Sequence, residues 1–353
     1  MRIFKLFVPF MALALMGAGC LGLGSSSTNT TDGAVWKSSD AGLNWVQSIA
    51  LPTTKGVSSL ASVSVVDLAM DPQDHQTIYI GTGDNGLFFT YDSGISWQQP
   101  RESSLKRGYV RAVTIDPEDK CTIYALLSTQ LTKSEDCGRT FDLEVYVEGR
   151  NNVSVTALAV DWFNPNVVWL GTSDGDILKS EDAGENWDTL YRASSMINQI
   201  MIDNNDSRIV LASTSRRGIR KTTDGGENWS DLQDVLKEFD SEANQINHIS
   251  QDAIGSTYVM ATDYTMFRST DKGDTWIAMD LLTGAGEVNI PVVVVDPNDT
   301  DKIYYATTGT IYSTVDAGLN WQTRKSPTSR TPSTLMVDPE DGNILYLTGI
   351  ASD

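Results

Sequence analysis

The sequence predicts an all-β fold in which seven four-stranded antiparallel units close into one ring, and three observations lead to this. First, a short pattern, Ser or Thr, x, Asp, x, Gly, x, x, aromatic, occurs seven times at intervals of 42 to 52 residues, a period typical of repeat architectures. Second, the chain between the copies carries short apolar runs rich in Val, Ile and Tyr, which favour β-strands. Third, each end of the repeat region supplies only half a unit. The aspartates of the seven copies are Asp40, Asp92, Asp136, Asp182, Asp224, Asp271 and Asp316.

The pattern suits a tight turn between two strands. Its Asp accepts hydrogen bonds from turn amides, its Gly permits a positive φ, and its aromatic residue anchors the hairpin between neighbouring sheets. It resembles the Asp-box (BNR repeat) of β-propellers, found in sialidases, sortilin-type receptors, xyloglucan-cleaving glycosidases and photosystem assembly-factor-like proteins. In those families the box is a structural turn remote from the working face, so the resemblance implies a fold and no reaction.

Strands follow one another in a constant order, A, B, C and D, with the box between C and D. In the first complete unit they are expected at residues 65–70, 77–82, 87–90 and 96–98. Five further units repeat this order. Residues 34–37 and 44–47 supply a C and D pair, and residues 335–337 and 344–347 supply an A and B pair. The sequence therefore predicts a seven-bladed β-propeller closed by pairing N-terminal C and D strands with C-terminal A and B strands, which removes open sheet edges.

Antiparallel pairing divides the loops between two faces. The A–B and C–D turns lie on one face, here called the bottom, and the D–A and B–C loops lie on the other, the top. Asp71, Asp116, Asp296 and Asp338 each precede a Pro in A–B turns. Together with the boxes they predict an acidic, solvated bottom face.

The N-terminal region resembles an export signal. Arg2 and Lys5 precede the apolar run 6–18, and Gly19-Cys20 follows it, so residues 1–20 look like a lipoprotein-type signal peptide with Cys20 as the lipidated residue. An uncleaved membrane anchor is the alternative. Residues 21–33 are rich in Gly, Ser and Thr and read as a flexible tether, and residues 34–353 as the single propeller domain. We expect an extracytoplasmic protein of the bacterial cell envelope, held to a membrane by a lipid anchor.

Cys121 and Cys137 are candidates for a disulfide. Cys121 opens strand B of its blade and Cys137 lies in the box of the same blade, so the topology places both at the bottom on adjacent strands. Export implies an oxidising compartment, and closing such a loop stabilises by roughly 3 kcal/mol. The alternative is two free thiols.

The charge of the chain limits its partners. The formal net charge is −20, which disfavours nucleic acid, since phosphate binding needs a basic surface. The top loops nevertheless concentrate arginine, whose guanidinium group suits carboxylates and phosphates. Scattered solubilising charge is the alternative, because acidic residues share these loops. The candidate partner-binding residues are Arg101, Arg107, Arg150, Arg192, Arg216, Arg217 and Arg324, and Lys106, Lys325 and Arg330 map to the same loops.

Catalytic chemistry has weaker support. Asp84, Asp174 and Asp263 on B–C loops are candidates for the paired carboxylates of a glycoside hydrolase. The xyloglucan-cleaving enzymes that the chain resembles use two propellers, however, and sialidases have six blades and an Arg-Ile-Pro opening. Tyr109 with Arg111, or Tyr191 with Arg192, could still be assigned sialidase roles. His75 and His248 are the only histidines, so neither a metal nor a cofactor is expected.

The leading prediction is a membrane-tethered binding or assembly scaffold that engages a protein partner at the cell envelope through its top loops. It follows from the tether, the loop arginines and the resemblance to photosystem assembly-factor-like and sortilin-like propellers, which are protein-binding scaffolds. Where the photosystem factors carry His-Gly-Trp in strand B, this chain has Ile-Tyr-Ile-Gly-Thr at 78–82. The alternative is an extracytoplasmic glycoside hydrolase, xyloglucanase-like or sialidase-like, or a glycan-binding propeller.

Overall fold

The strands pair in the order that the repeats predict. The structure, a computed structural model, describes residues 31–101, 104–141 and 143–351. In chain order the strands are β1 (Val35–Ser38), β2 (Val46–Ser48), β3 (Ala50–Thr53), β4 (Gly56–Ser59), β5 (Val65–Asp71), β6 (Asp74–Thr82), β7 (Leu87–Thr90), β8 (Ala112–Ile115), β9 (Ile123–Leu126), β10 (Gln130–Ser134), β11 (Leu143–Val147), β12 (Val155–Val160), β13 (Val168–Thr172), β14 (Asp176–Ser180), β15 (Asp188–Arg192), β16 (Ile197–Ile202), β17 (Val210–Thr214), β18 (Ile219–Thr222), β19 (Ser230–Asp231), β20 (Ile246–Gln251), β21 (Tyr258–Thr262), β22 (Met266–Ser269), β23 (Ile277–Ala278), β24 (Val292–Asp296), β25 (Asp299–Thr307), β26 (Thr310–Thr314), β27 (Gln322–Lys325), β28 (Thr331–Val337) and β29 (Leu345–Ile350).

Apart from the hairpin β3–β4, these strands form seven antiparallel sheets, numbered here as blades 1 to 7. Blade 1 has the order β2-β1-β29-β28, and blades 3 to 7 take four consecutive strands each, from β8 to β27. Blade 2 contains β5, β6 and β7, and its expected fourth strand is reduced to a single pairing of Phe89 with Gln98. The seven-bladed propeller predicted from the sequence is confirmed.

Blade 1 closes the ring. Its strand β1 pairs with β29 from Val35 opposite Thr348 to Ser38 opposite Leu345. N-terminal and C-terminal strands thus share one sheet, as the two half units predict, and the closure gives the inner edge of β1 a partner.

Three insertions between blades were not expected from the sequence. The hairpin β3–β4 lies between blades 1 and 2. Helix α1 (Gln233–Lys237) and a 3-10 turn (Ser241–Asn244) lie between blades 5 and 6, and another 3-10 turn (Ser104–Lys106) lies between blades 2 and 3. No helix of the described part of the chain is long and apolar enough to cross a membrane.

Each Asp-box is held by the same hydrogen bonds. In blade 4 the Ser180 hydroxyl donates to Asp182 Oδ1 at 2.8 Å, and the backbone N–H of Gly184 donates to Ser180 Oγ at 2.9 Å. The backbone N–H and side-chain amide of Asn186 donate to the two carboxylate oxygens of Asp182, at 2.8 and 2.7 Å. The six other boxes repeat the first three bonds. Because these donors favour the ionised form, chiefly the amide of Asn186, the pKa of Asp182 falls to about 2.

The hydrophobic core lies between neighbouring blades. At the boundary of blades 4 and 5, buried Trp169 packs edge-to-face on Trp229 with ring centroids 6.1 Å apart, beside buried Ile200 and Val210. Burying a side chain of this size contributes about 1.5–3 kcal/mol. The ring is therefore held by apolar contacts between adjacent sheets as well as by strand pairing.

The acidic A–B turns differ from the expectation of a solvated bottom face. Asp71, Asp116, Asp296 and Asp338 are buried, and each accepts a hydrogen bond from a backbone N–H of its own turn. The physical reason is that a tight turn leaves amides without strand partners, which a buried carboxylate satisfies. The same position in blades 4, 5 and 6 holds buried Asp161, Asp203 and Asp252.

A disulfide joins Cys121 and Cys137, as the sequence predicts. It connects the start of strand B to the box within blade 3, where the backbone N–H of Cys137 also donates to the Cys121 carbonyl. The predicted lipidation site, Cys20, lies outside the described residues.

Candidate functional site

An open pocket on the top face lies at the boundary of blades 4 and 5 and is here called the arginine pocket. It has a volume of about 640 Å³. The B–C loops of the two blades, the D–A loop between them and the first residue of α1 build it. Its lining residues are Ser173, Ser194, Ser195, Met196, Ser215, Arg216, Arg217 and Gln233.

The loop that carries the two arginines is fixed from below. The hydroxyl of Thr214, at the end of β17, accepts from the backbone N–H of Arg217 at 2.8 Å and donates to the Gly218 carbonyl at 2.9 Å. Gly218 has a φ of +67°, and a Cβ there would lie 2.6 Å from Asn244 Oδ1, so only glycine fits. The backbone N–H of Ser215 donates to the Met196 carbonyl. A rigid turn therefore presents Arg216 and Arg217.

Arg216 and Arg217 are exposed, and no carboxylate of the described residues lies within ion-pair distance of either guanidinium group. Around them the pocket offers hydroxyl groups, including the Ser195 and Ser215 hydroxyls 3.2 Å apart. Guanidinium and hydroxyl donors together suit an anionic ligand that can accept several hydrogen bonds.

Two neighbouring arginines on the top face are neutralised. Arg150 forms ion pairs with Glu148 at 2.7 Å, Asp174 at 3.0 Å and Asp176 at 2.7 Å. Arg192 lies 3.1 Å from the other oxygen of Asp176, and the expectation that Arg192 lies on a loop is wrong, because it is the last residue of β15. Hydrogen bonds from Arg150 hold the pKa of the Glu148 carboxyl at about 2. This cluster contains three carboxylates for its two guanidinium groups, which distinguishes it from the arginine pocket.

The remaining candidate cations lie elsewhere. Arg101 and Arg107 are exposed on the D–A loop between blades 2 and 3. The expectation that Arg324 lies on a top loop is wrong, because strand β27 extends through it; its guanidinium donates to Ser313 Oγ and to Gln322 Oε1. Arg330 is on the expected D–A loop but is buried, so it is not a surface cation.

The three candidate catalytic carboxylates have separate surroundings. They lie on blades 2, 4 and 6, and none of them lines the arginine pocket or the axial channel. Asp84 is exposed, Asp174 is ion-paired with Arg150, and Asp263 accepts a hydrogen bond from the Asn247 amide at 3.1 Å. The structure therefore does not bring them together in either cavity.

Sequence reasoning identified the two arginines of the pocket but missed its serines and Gln233. Ser194, Ser195 and Ser215 follow the ends of strands, as turn residues commonly do, and nothing in their local pattern distinguishes them from ordinary loop serines. Their proximity arises only when two successive blades pack side by side. Within the described residues no group of His, Cys, Asp and Glu is arranged to hold a metal ion.

A family model described as photosynthesis system II assembly factor YCF48 matches residues 16–214 and 192–347. The chain belongs to this YCF48 family. A search of curated protein sequences finds no match. The structural match to a YCF48 bound to D1 peptide has 17% identity and a TM-score of 0.61, covering 86% of this chain and 96% of the other. The match to YCF48 from Cyanidioschyzon merolae has 16% identity and a TM-score of 0.56, covering 81% and 95%.

A second group of similar structures consists of GH74 enzymes. The GH74 enzyme of Niastella koreensis is 18% identical with a TM-score of 0.67, and the match covers 82% of this chain but 51% of the enzyme. This member of the YCF48 family thus spans about half the length of those enzymes. At such identities the likeness to both groups shows the propeller fold alone.

Proposed function

We propose that this protein is a binding scaffold that holds a protein partner by an acidic segment seated in the arginine pocket. The observation that carries the proposal is the unneutralised pair Arg216 and Arg217 in a chain of net charge −20. The neighbouring Arg150 and Arg192 are held by carboxylates of the protein itself. A partner that supplies the missing carboxylate would gain charge-assisted hydrogen bonds on a turn that is already ordered.

A peptide-like partner fits the surroundings of the pocket. Serine hydroxyls can bond a peptide backbone, and half-exposed Val235 and Phe239 lie on and next to α1, which also supplies Gln233. A structure of another YCF48 holds a D1 peptide, which supports a peptide segment as the ligand class. We further propose that Cys20 carries a lipid and holds the scaffold at the cell envelope.

The test compares three forms of the full-length protein as baits for solubilised envelope proteins. These are the wild type, the variant Arg216→Glu/Arg217→Glu, and the control Arg101→Glu/Arg107→Glu, which makes the same charge change on exposed arginines of another top loop. We expect the wild type and the control to retain the same defined protein. The pocket variant should retain at least about tenfold less of it, since two charge-assisted contacts are lost. Equal retention by all three baits, or no specific protein on the wild type, refutes the proposal.

The anchor is tested separately. Cys20→Ser should move the protein from the membrane fraction to the soluble fraction and abolish the mass added by lipid. Unchanged membrane association and mass would refute the lipid anchor without affecting the pocket.

The glycoside hydrolase remains the alternative from the enzyme class, because GH74 enzymes share the fold. Hydrolysis of xyloglucan by the wild type, with loss of turnover in Asp84→Asn, Asp174→Asn or Asp263→Asn, would establish it. If the wild-type protein releases no sugar from xyloglucan, the glycoside hydrolase alternative is ruled out.

A further inference from the structure

The axial channel of the propeller is a second cavity, distinct from the arginine pocket. Strand A of every blade contributes to its wall, and its volume is about 580 Å³. Near the top of each strand A, one residue beside the first strand pairs lines the channel, and in five blades it is the residue left unpaired at a shift in strand register. In four blades this residue is polar and uncharged, namely Thr156, Asn198, Asn247 and Ser333.

Those four side chains connect neighbouring blades. Each donates a hydrogen bond to a backbone carbonyl of the next blade, and the pairs are Thr156 to Ile197 at 2.6 Å, Asn198 to Ile246 at 2.7 Å, Asn247 to Ile290 at 3.2 Å and Ser333 to Val65 at 2.6 Å. Their donors are therefore used within the protein. The pattern explains why polar residues line this level of the channel without being available to a ligand as donors.

Arg111 occupies this position in blade 3 and departs from the pattern. Its guanidinium lines the channel, and its Nε is buried without a hydrogen-bond partner. No carboxylate of the described residues lies within ion-pair distance of it. The ring of Tyr109 packs against the guanidinium at 5.5 Å and limits its movement. A buried donor of a charged group without a partner is costly, so it indicates a ligand or ordered solvent at this point.

Other parts of the channel wall, on blades 2, 5 and 6, offer acceptors. His248 lies three blades away, and its Nδ1 is 2.9 Å from the Val293 carbonyl, so Nδ1 carries the proton and Nε2 is left to accept. Burial lowers the pKa of His248 to about 4, which keeps the ring neutral. One oxygen of Asp67 accepts from the Val113 N–H and the other can accept from a ligand. The amide nitrogen of Asn198 is bonded to a carbonyl, which leaves its oxygen as a further acceptor.

The geometry points to a binding site in the axial channel for a small organic acid that carries a carboxylate and at least one hydroxyl or amino group. The carboxylate pairs with Arg111, and the hydroxyl or amino group donates to acceptors of the channel wall. A guanidinium matches a carboxylate by two parallel hydrogen bonds. A simple inorganic anion would satisfy Arg111 and leave the acceptors unused.

Calorimetry on the full-length protein tests this with three matched probes: L-malate, succinate, which lacks only the hydroxyl, and dimethyl malate, which lacks both charges. We expect L-malate to bind the wild type at millimolar concentrations or below, succinate to bind about three to ten times more weakly for want of one hydrogen bond, and the diester not to bind. Arg111→Gln should weaken malate binding at least about tenfold, whereas Arg107→Gln should leave it unchanged.

Two further measurements keep the outcome clear. Amide resonances of wild-type Ala112 and Ile249 should shift on adding L-malate, which requires no variant to fold. Malate binding should persist in Arg216→Glu/Arg217→Glu, which separates this site from the arginine pocket. No binding of malate by the wild type, equal binding by Arg111→Gln with native thermal unfolding, or equal affinity for malate and succinate would each overturn the proposal.

Discussion

Replacing Arg330 by methionine should destabilise the closure of the ring. The guanidinium is 4% exposed and donates to the carbonyl of Val63 at 3.1 Å, the hydroxyl of Ser64 at 2.9 Å and the carbonyl of Ser62 at 3.0 Å. Its Nε also lies 3.5 Å from Asp32 Oδ1. It therefore joins the segments that precede β28, β5 and β1, which belong to blades 1 and 2.

The magnitude follows from these contacts. Hydrogen bonds from a charged donor contribute about 1.5–3 kcal/mol each, and removing one partner of a buried charged group costs about 3–5 kcal/mol, because the acceptors lose their donor. Methionine has a similar length and recovers part of the packing, so we expect a loss of about 3–5 kcal/mol. For about 320 ordered residues the unfolding entropy is about 0.7 kcal/mol/K, so the Tm should fall by about 4–7 °C.

Differential scanning calorimetry measures this shift. The control Arg101→Met makes the same substitution at an exposed top-loop arginine and should move the Tm by less than about 1 °C, as surface substitutions usually do. If Arg330→Met has the same Tm as the control variant, the assignment of Arg330 to the closure of the ring is refuted.

Two further predictions concern the boxes. Gly226 and Gly309 both have positive φ, +101° and +91°. A Cβ on Gly226 would lie 2.6 Å from Leu190 and 2.7 Å from Trp169, whereas a Cβ on Gly309 would meet no atom within 4 Å. In urea unfolding, Gly226→Ala should therefore lower the free energy of unfolding by about 1–3 kcal/mol more than Gly309→Ala does, and equal losses would contradict the packing argument. The pKa of Asp182 is about 2, below that of an unfolded carboxyl, so its contribution to stability is complete above about pH 4 and is lost as the pH falls towards 2. Over this pH range the Tm of Asp182→Asn should therefore fall less steeply than the Tm of the wild type. An equal slope for the two proteins would contradict this role of Asp182.

The sequence was sufficient for the fold because the information is local and repeated. A box needs only eight neighbouring residues, and the half units at the two ends determine the closure without any contact map. The same locality explains the errors. Arg324 was placed on a loop because strand D has no strong apolar pattern, since its outer face is exposed and its residues are mostly polar. The buried Asp161, Asp203 and Asp252 do not stand out in the sequence, because no Pro directly follows them.

The candidate sites were less predictable because several of their partners come from the neighbouring blade. Arg150 and Arg216 both lie on top loops, but the packing of blades 3 and 4 adds Asp174 and Asp176 to Glu148 around Arg150, whereas no carboxylate of the described residues reaches Arg216. The hydrogen bonds around the channel likewise connect residues 41 to 48 positions apart in blades 4, 5 and 6, and 268 positions apart between Ser333 and Val65. Single-sequence patterns do not encode which residues face each other across such distances.

The shared sheet of blade 1 also imposes an order on biosynthesis. Strand β1 is synthesised long before β29, the strand with which it pairs. Until residues 345–350 are available, the inner edge of β1 has no partner and can pair with a strand of another chain. A chain that is stalled or truncated before β29 would therefore retain six nearly complete blades and still expose an unpaired strand edge that favours aggregation. Formation of β29 is thus the step that protects the molecule from this aggregation.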